Sequence, residues 1–213
     1  MRQFHHFGPM SSEVIHNVYH AFGRVRQHLK VMGCTHCCAT DAELRSLEAG
    51  VHEAPKFAVA TLAHNGMSTV GSQSDYRYFL PRILHEIFID IDFWYLCIDA
   101  LTTRIKEAGF DSWSEAERRA TVAGLHAIFA KHCEGLDRVY LEDWLYAIAC
   151  VDFDVTPYLS MIDDRGDEDE RHELIFDVLL NIRPKEGEPV KLAHGVLTSD
   201  QYDPICRWVA SKF

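Results

Sequence analysis

The pattern most suggestive of chemistry is a cysteine-rich turn, GCTHCCAT, at residues 33–40. Cys34 and Cys37 have the Cys-x-x-Cys spacing with which two thiolates can reach one zinc ion. A tetrahedral site needs two more ligands, and His16 and His20 lie four apart, so one helix face could present both imidazoles. The favoured interpretation is that the cysteines pack as small apolar groups and no cofactor is bound. The alternative is one structural zinc ion held by these four side chains.

Arg119 and His126 form a second candidate pair. Six residues separate them, and this spacing resembles the metal-independent ribonuclease motif of HEPN domains, which are also helical. Those domains usually carry a polar residue at the position of Ala120 in this chain. The sequence leaves open whether the pair forms a site. No Gly-x-Ser-x-Gly elbow, P-loop or His-Glu-x-x-His motif occurs, so the sequence favours a protein that is not an enzyme.

The strongest charge feature is the run IDDRGDEDERHE at residues 162–173. One interpretation is a solvated loop and helix start, where carboxylates interact favourably with the helix dipole. The functional interpretation is a surface that attracts a basic protein and pairs with its Lys and Arg side chains. Exposed aromatic rings nearby, on Tyr158 or Trp144, would act as anchors. The predicted partner-binding residues are Asp163, Asp164, Asp167, Glu168, Asp169, Glu170 and Tyr158.

Composition narrows the class of protein. The 213 residues carry a formal net charge of 21 − 32 = −11, which argues against binding to a nucleic acid backbone. An apolar fraction of 47% excludes intrinsic disorder. Seven cysteines without a regular framework indicate reduced thiols in the cytoplasm. No segment has the length and apolar character of a signal peptide or a membrane span, so we expect no membrane association.

Helical periodicity runs through almost the whole chain, and alternating strand patterns are nearly absent. The first helix is predicted to end at Gly33, and its buried stripe comprises Val14, Val18, Phe22, Val25, Leu29 and Met32. Three later helices should begin at residue pairs with capping-box spacing. These pairs are Thr40 with Glu43, Ser114 with Glu117, and Thr198 with Gln201. We also expect Asp92 to cap a helix that ends at Gly109.

The segment DYRYFLPRIL, residues 75–84, is densely apolar and contains a proline. Asp75 is expected to cap its helix, and Pro81 to bend or restart that helix because proline lacks a backbone N–H. Arg77 and Arg82 should bind carboxylates at the edge of the core. The candidate carboxylates are Glu86 and Asp90.

Together these patterns predict an all-α fold of eight or nine helices, arranged as an irregular bundle or a curved array of helical hairpins. A length near 200 residues is consistent with one domain over residues 1–213. Residues 1–10 would form an N-terminal tail. Residues 184–199 would form a polar connection to a terminal helix.

The block at residues 75–84 also carries a resemblance to a known family. Its Asp-aromatic-Arg-aromatic-Phe-Leu-Pro-Arg pattern, preceded by a Cys-x-x-Cys turn, resembles a family of uncharacterised bacterial cytoplasmic proteins. Similar segments follow at 112–117, 143–149 and 154–159. The resemblance spans residues 34–180 and implies one domain, but it implies no activity because none is established for that family.

These observations predict an acidic, cytosolic, protein-binding module. The expected partner is a basic protein, and an inhibitor or immunity protein that covers the active-site cleft of a toxin fits the charge. The alternative function is that of a zinc-stabilised helical domain with a regulatory or unknown enzymatic role.

Overall fold

The structure, a computed structural model, describes residues 9–25, 30–36, 38–90, 98–134, 141–165, 168–181, 190–191 and 196–212. Over these ranges the helices are α1 Pro9–Phe22, α2 Asp41–Leu47, α3 Lys56–Asn65, α4 Gln73–Ile89, α5 Ile98–Glu107, α6 Glu115–Glu134, α7 Leu141–Cys150, α8 Thr156–Asp163, α9 Glu168–Asn181 and α10 Ser199–Ala210. Two short strands, β1 Val190–Lys191 and β2 Val196–Leu197, pair antiparallel. The predicted all-α fold is confirmed, with ten helices in the described ranges rather than eight or nine. None of these helices is both long and apolar enough to cross a membrane.

The three predicted capping boxes are all present. The Thr40 amide donates to Glu43 Oε2 at 2.6 Å, and the Glu43 amide donates back to Thr40 Oγ1 at 3.1 Å. Ser114 and Glu117 make the same reciprocal bonds before α6. Before α10 the Thr198 amide and hydroxyl donate to Gln201 Oε1 at 2.9 and 3.0 Å, and the Gln201 amide donates to the Thr198 carbonyl at 3.1 Å. Each box satisfies two amides that a helix start leaves without an intrahelical acceptor.

Helix α4 differs from its prediction at the cap, and it runs through its proline as one helix. Ser72 is the N-cap and Asp75 is the third helical residue, whose Oδ2 accepts from the Ser72 amide at 2.8 Å. The prediction that Asp75 is itself the cap is therefore wrong. The helix continues from Gln73 to Ile89 through Pro81 without restarting. Pro81 has no N–H to donate to the Arg77 carbonyl, so the helix lacks one hydrogen bond there.

Helix α1 is shorter than its periodicity predicted. It ends at Phe22, because the amides of Gly23 and Val25 make turn hydrogen bonds to the carbonyls of His20 and Phe22, at 3.2 and 2.9 Å. The predicted end at Gly33 is wrong, and Met32 is 65% exposed instead of buried. Leu29 and Asp92 lie outside the described residues.

The described residues divide into two compact units. The first comprises Met1–Trp94 with Ala108–Ile128, and the second comprises Tyr95–Glu107 with Phe129–Phe213. In the first unit, α4 packs on α1 and α3, and α2 packs on α3. Its fully buried side chains include Val18, Leu47, Leu62, Tyr76, Phe79, Leu80, Ile83, Leu84 and Leu125. The prediction of a single domain stays a prediction.

The second unit is built around α7. This helix packs on α5, α9 and α10, and every residue from 144 to 149 is buried. A helix that is apolar on all sides belongs at the centre of its unit. Phe129 fills the space beside it, with its ring centroid 6.1 Å from that of Trp144 and 5.1 Å from that of Tyr158.

Candidate functional site

The carboxylates of the acidic run lie around the junction of α8 and α9. Asp164, Glu168 and Asp169 are exposed, and their side chains make no ion pair within the described ranges. Asp163 differs from them: its Oδ2 accepts from Trp208 Nε1 at 2.8 Å, and its Oδ1 contacts Lys212 Nζ. Asp163 therefore ties α8 to α10. Glu170 belongs to α9, and Asp167 lies outside the described residues.

The negative charge is concentrated in the unit that carries this run. The first unit has ten Lys and Arg against twelve Asp and Glu, a net charge of 10 − 12 = −2. The second unit has eleven against twenty, a net charge of 11 − 20 = −9. A basic partner would therefore be attracted mainly to the second unit.

The predicted aromatic anchors are not on the surface. Tyr158 is 1% exposed and Trp144 is 4% exposed, because both rings pack against Phe129 in the core of the second unit. Burial, together with the charge of Asp154, raises the pKa of the Tyr158 hydroxyl. The expectation that Tyr158 is an exposed anchor is wrong.

The cysteine-rich turn is packed against the loop before α4. The Cys34 amide donates to the Thr69 carbonyl at 2.8 Å, and the Cys34 carbonyl accepts from the Ala39 amide at 3.1 Å. Cys34 and Cys38 are half-buried. These contacts fix the turn through its backbone.

The four predicted zinc ligands are only partly placed. His16 and His20 are exposed on α1, whereas Cys37 lies outside the described residues. Where side chains are described, no group of three or more His, Cys, Asp or Glu residues could hold a metal ion. Because Cys37 is not among them, the zinc site stays a prediction.

Arg119 and His126 line the same shallow groove of about 620 Å³ on α6. Arg119 is engaged at the rim, where its Nη1 lies 3.0 Å from Glu115 Oε1 one turn earlier. Arg118 and Asp111 line the groove as well, so its two arginines lie beside one carboxylate. The structure thus brings the predicted pair to one surface.

Arg77, Trp113 and Glu117 form a charged cluster in the first unit. Arg77 donates to Glu117 Oε1 from Nε at 2.9 Å and from Nη2 at 2.6 Å. Its guanidinium carbon lies 5.5 Å from the centroid of the Trp113 ring, within range of a cation–π interaction. Glu117 Oε2 accepts from the amide and the hydroxyl of Ser114, at 2.9 and 2.5 Å.

The surroundings of Glu117 favour its ionised form. Burial raises the pKa of this carboxyl, but the hydrogen bonds from Ser114 and Arg77 outweigh burial, so the pKa lies below its ordinary value. The carboxylate therefore remains charged and fixes the arginine beside it. Arg77 binds a carboxylate, as predicted, but its partner is Glu117 and the candidates Glu86 and Asp90 are wrong.

A second polar cluster joins α1, α4 and the turn before α3. The Tyr19 hydroxyl lies 3.2 Å from His85 Nδ1, and the Tyr19 ring stacks on His52 at 5.1 Å between centroids. Burial raises the pKa of Tyr19 to about 12 and lowers the pKa of His85. Both side chains are therefore neutral near pH 7 and act as a tie between elements. Beside them, Arg82 Nε donates to Glu86 Oε1 at 2.6 Å, as predicted.

Sequence reasoning missed the Arg77 cluster because its partners are far apart in the chain. Glu117 was identified only as the third residue of a helix, and nothing local indicates that its second oxygen accepts from an arginine 40 positions earlier. The signal that the sequence offers is an arginine inside an apolar helical segment.

Searches against protein-family models, curated proteins and solved structures each found no match to this chain.

Proposed function

We propose that this chain is an acidic protein-binding module that covers a basic surface of a partner protein, as an inhibitor or immunity protein covers the active-site cleft of a toxin. The observation that carries the proposal is the charge of −9 on the second unit, compared with −2 on the first. Long-range attraction of this kind accelerates association with a partner of opposite charge.

The exposed carboxylates at the start of α9 support the same proposal. Asp164, Glu168 and Asp169 make no ion pair within the described ranges, so they are available to Lys and Arg of a partner. Because Tyr158 is buried, it adds no aromatic anchor, and the proposed contact consists of charged groups. Long-range attraction between such groups makes association fast. Its affinity should therefore fall steeply with ionic strength.

The test neutralises those three carboxylates in the variant Asp164→Asn, Glu168→Gln, Asp169→Asn. Immobilised wild-type chain is used to isolate a partner from the lysate of the host, and the partner is identified and purified. We expect the association rate of the triple variant to be lower by about tenfold at low salt. The difference should vanish near 1 M salt, where the Debye length is about 3 Å.

The matched control removes three exposed carboxylates from the first unit, in the variant Glu13→Gln, Glu48→Gln, Glu53→Gln. It changes the net charge of the chain from −11 to −8, as the test variant does. Equal association rates for the two triple variants would show that only total charge matters and would refute the assigned surface. A purified partner with an acidic or neutral surface would refute the proposal itself.

A further inference from the structure

The cleft beside Arg77 has the features of a small-ligand site. It has a volume of about 590 Å³ and lies in the first unit, between the end of α1 and the starts of α4 and α6. Arg24 and Arg77 line it together with the apolar side chains of Ala21, Val25 and Ala108. The polar residues Gln73, Ser74, Ser112 and Ser114 line it as well. Small-molecule sites combine apolar contacts with polar groups that fix the orientation of the ligand.

One edge of the Arg77 guanidinium is available to a ligand. Nε and Nη2 both donate to Glu117 Oε1. The edge of the guanidinium formed by these two nitrogens, its side-on edge, is therefore occupied. Nη1 makes no hydrogen bond with any described residue, and the side chain is 32% exposed. The end-on edge, formed by Nη1 and the second N–H of Nη2, therefore keeps two parallel donors.

The guanidinium is also fixed in position before any ligand arrives. Trp113 supports one face of the group, and Glu117 holds its inner edge. Ser114 in turn holds Glu117 through two hydrogen bonds. An arginine ordered in this way loses little side-chain entropy on binding, so more of its interaction energy contributes to affinity.

Charge and shape select the class of ligand. Two parallel N–H donors match the two oxygens of a carboxylate. The titratable side chains that line the cleft are Arg24, Arg77 and Glu117, with a summed charge of +1. That charge is neutralised by a ligand with one negative charge, whereas a dianion would leave an excess negative charge beside the Glu117 carboxylate.

We infer that this cleft binds a small organic carboxylate, with its oxygens on the end-on edge of Arg77 and its apolar body along Val25 and Ala108. Arg24, which is exposed at the rim, adds a second attractive charge. This site is separate in sequence and chemistry from the acidic surface of the proposed function. The outcome of the test of this cleft therefore does not decide whether the acidic surface binds a basic partner.

The experiment titrates the full chain with benzoate and 4-phenylbutyrate, and with their neutral amides, benzamide and 4-phenylbutyramide. Binding is followed by the NMR shift of the Trp113 indole N–H, assigned with Trp113→Phe. We expect each carboxylate to bind at least about tenfold more tightly than its amide, because only the carboxylate makes the charge-assisted pair. Phenyl phosphate, a dianion near neutral pH, should bind more weakly than benzoate.

Two variants test the residues. Arg24→Gln should weaken benzoate binding about threefold to tenfold, whereas the exposed Arg45→Gln on α2 should leave it unchanged. Arg77→Lys keeps the charge but removes the fork, and should weaken binding by about tenfold or more. Circular dichroism establishes that Arg77→Lys is folded, and Arg24→Gln decides the matter if it is not.

Three results would overturn the inference. The first is equal affinity for a carboxylate and its amide, or no shift with any of these probes at millimolar concentration. The second is tighter binding of phenyl phosphate than of benzoate. The third is an equal effect of Arg24→Gln and Arg45→Gln.

Discussion

The ion pair between Arg77 and Glu117 should be one of the strongest single contributions to the stability of the first unit. The Glu117 side chain is 5% exposed and that of Arg77 is 32% exposed, with Nη2 and Oε1 2.6 Å apart. A double-mutant cycle with Glu117→Gln and Arg77→Met isolates their interaction. Gln keeps the size of the side chain and its acceptor for Ser114, and Met keeps an unbranched chain over the Trp113 ring.

The expected coupling energy follows from the burial of the pair and from the number of its hydrogen bonds. Arg77→Met leaves the buried Glu117 carboxylate without its arginine, and Glu117→Gln leaves the half-buried Arg77 guanidinium without its carboxylate. Each of these single substitutions costs about 2 kcal/mol. The double variant has no unpaired charge and should cost about as much as either single variant. The cycle therefore predicts a coupling energy of about 1.5 to 2 kcal/mol.

The assay is urea unfolding followed by circular dichroism at neutral pH, with a second series at low pH. Because the folded-state pKa of Glu117 lies below the ordinary value of 4.5, the coupling is fully present above that pH. It is lost as the pH falls through the folded-state pKa, since the protonated carboxyl no longer attracts the guanidinium.

A matched control pair lies on α6, the helix that carries Glu117. Arg119 and Glu115 are the same residue types at 3.0 Å, but their side chains are 74% and 70% exposed. The same cycle at that pair should give about 0.5 kcal/mol or less, because water screens exposed charges. If the two pairs gave equal coupling energies, the argument that burial strengthens the inner pair would be refuted.

Three further predictions concern backbone approach, titration and metal content. Gly66→Ala should cost about 3 kcal/mol, because an added Cβ would lie 2.5 Å from the Tyr76 ring. At Gly23 an added Cβ would meet no side-chain atom of a described residue within 4 Å, so Gly23→Ala should change the unfolding free energy by less than about 0.5 kcal/mol. Burial, followed by the charge of Lys131, lowers the pKa of His132 to about 4 in the folded protein. As the pH falls, His132 of the unfolded chain therefore binds a proton before His132 of the folded chain does. Stability should thus fall by about 2 kcal/mol as the pH drops from 6.5 towards 4, and His132→Phe should abolish that part of the fall. Metal analysis of untagged protein should find no stoichiometric zinc; one equivalent that is lost in Cys34→Ser would establish the zinc-stabilised alternative instead.

Features set by neighbouring residues were predictable from the sequence. The capping box of Thr40 and Glu43 needs only two side chains three residues apart, and it forms as predicted. The sequence predicts Asp75 as the cap of α4 because aspartate is a frequent N-cap, whereas the structure has Ser72 at that position. The end of α1 was missed because apolar spacing continues beyond Phe22, where the backbone already turns.

Features set by distant residues were not predictable. Tyr158 is close to the acidic run in sequence, yet its ring lies against Phe129 in the core. Arg77 selects Glu117 over the nearer Glu86, which already accepts from Arg82 at 2.6 Å. Hydrophobic pattern indicates that a position is buried, but the choice of partner depends on how helices pack.

The interleaving of the two units along the chain has a consequence for synthesis on the ribosome. Helix α5 belongs to the second unit, and its main partner α7 begins 34 residues after α5 ends. Because synthesis adds about 5 to 20 residues per second, roughly 2 to 7 s pass between the end of α5 and the start of α7. During that interval Leu101 and Ile105, both fully buried in the folded protein, lack the helix that is the main partner of α5. A nascent chain of this kind would be a substrate for chaperones that recognise short apolar segments as they emerge.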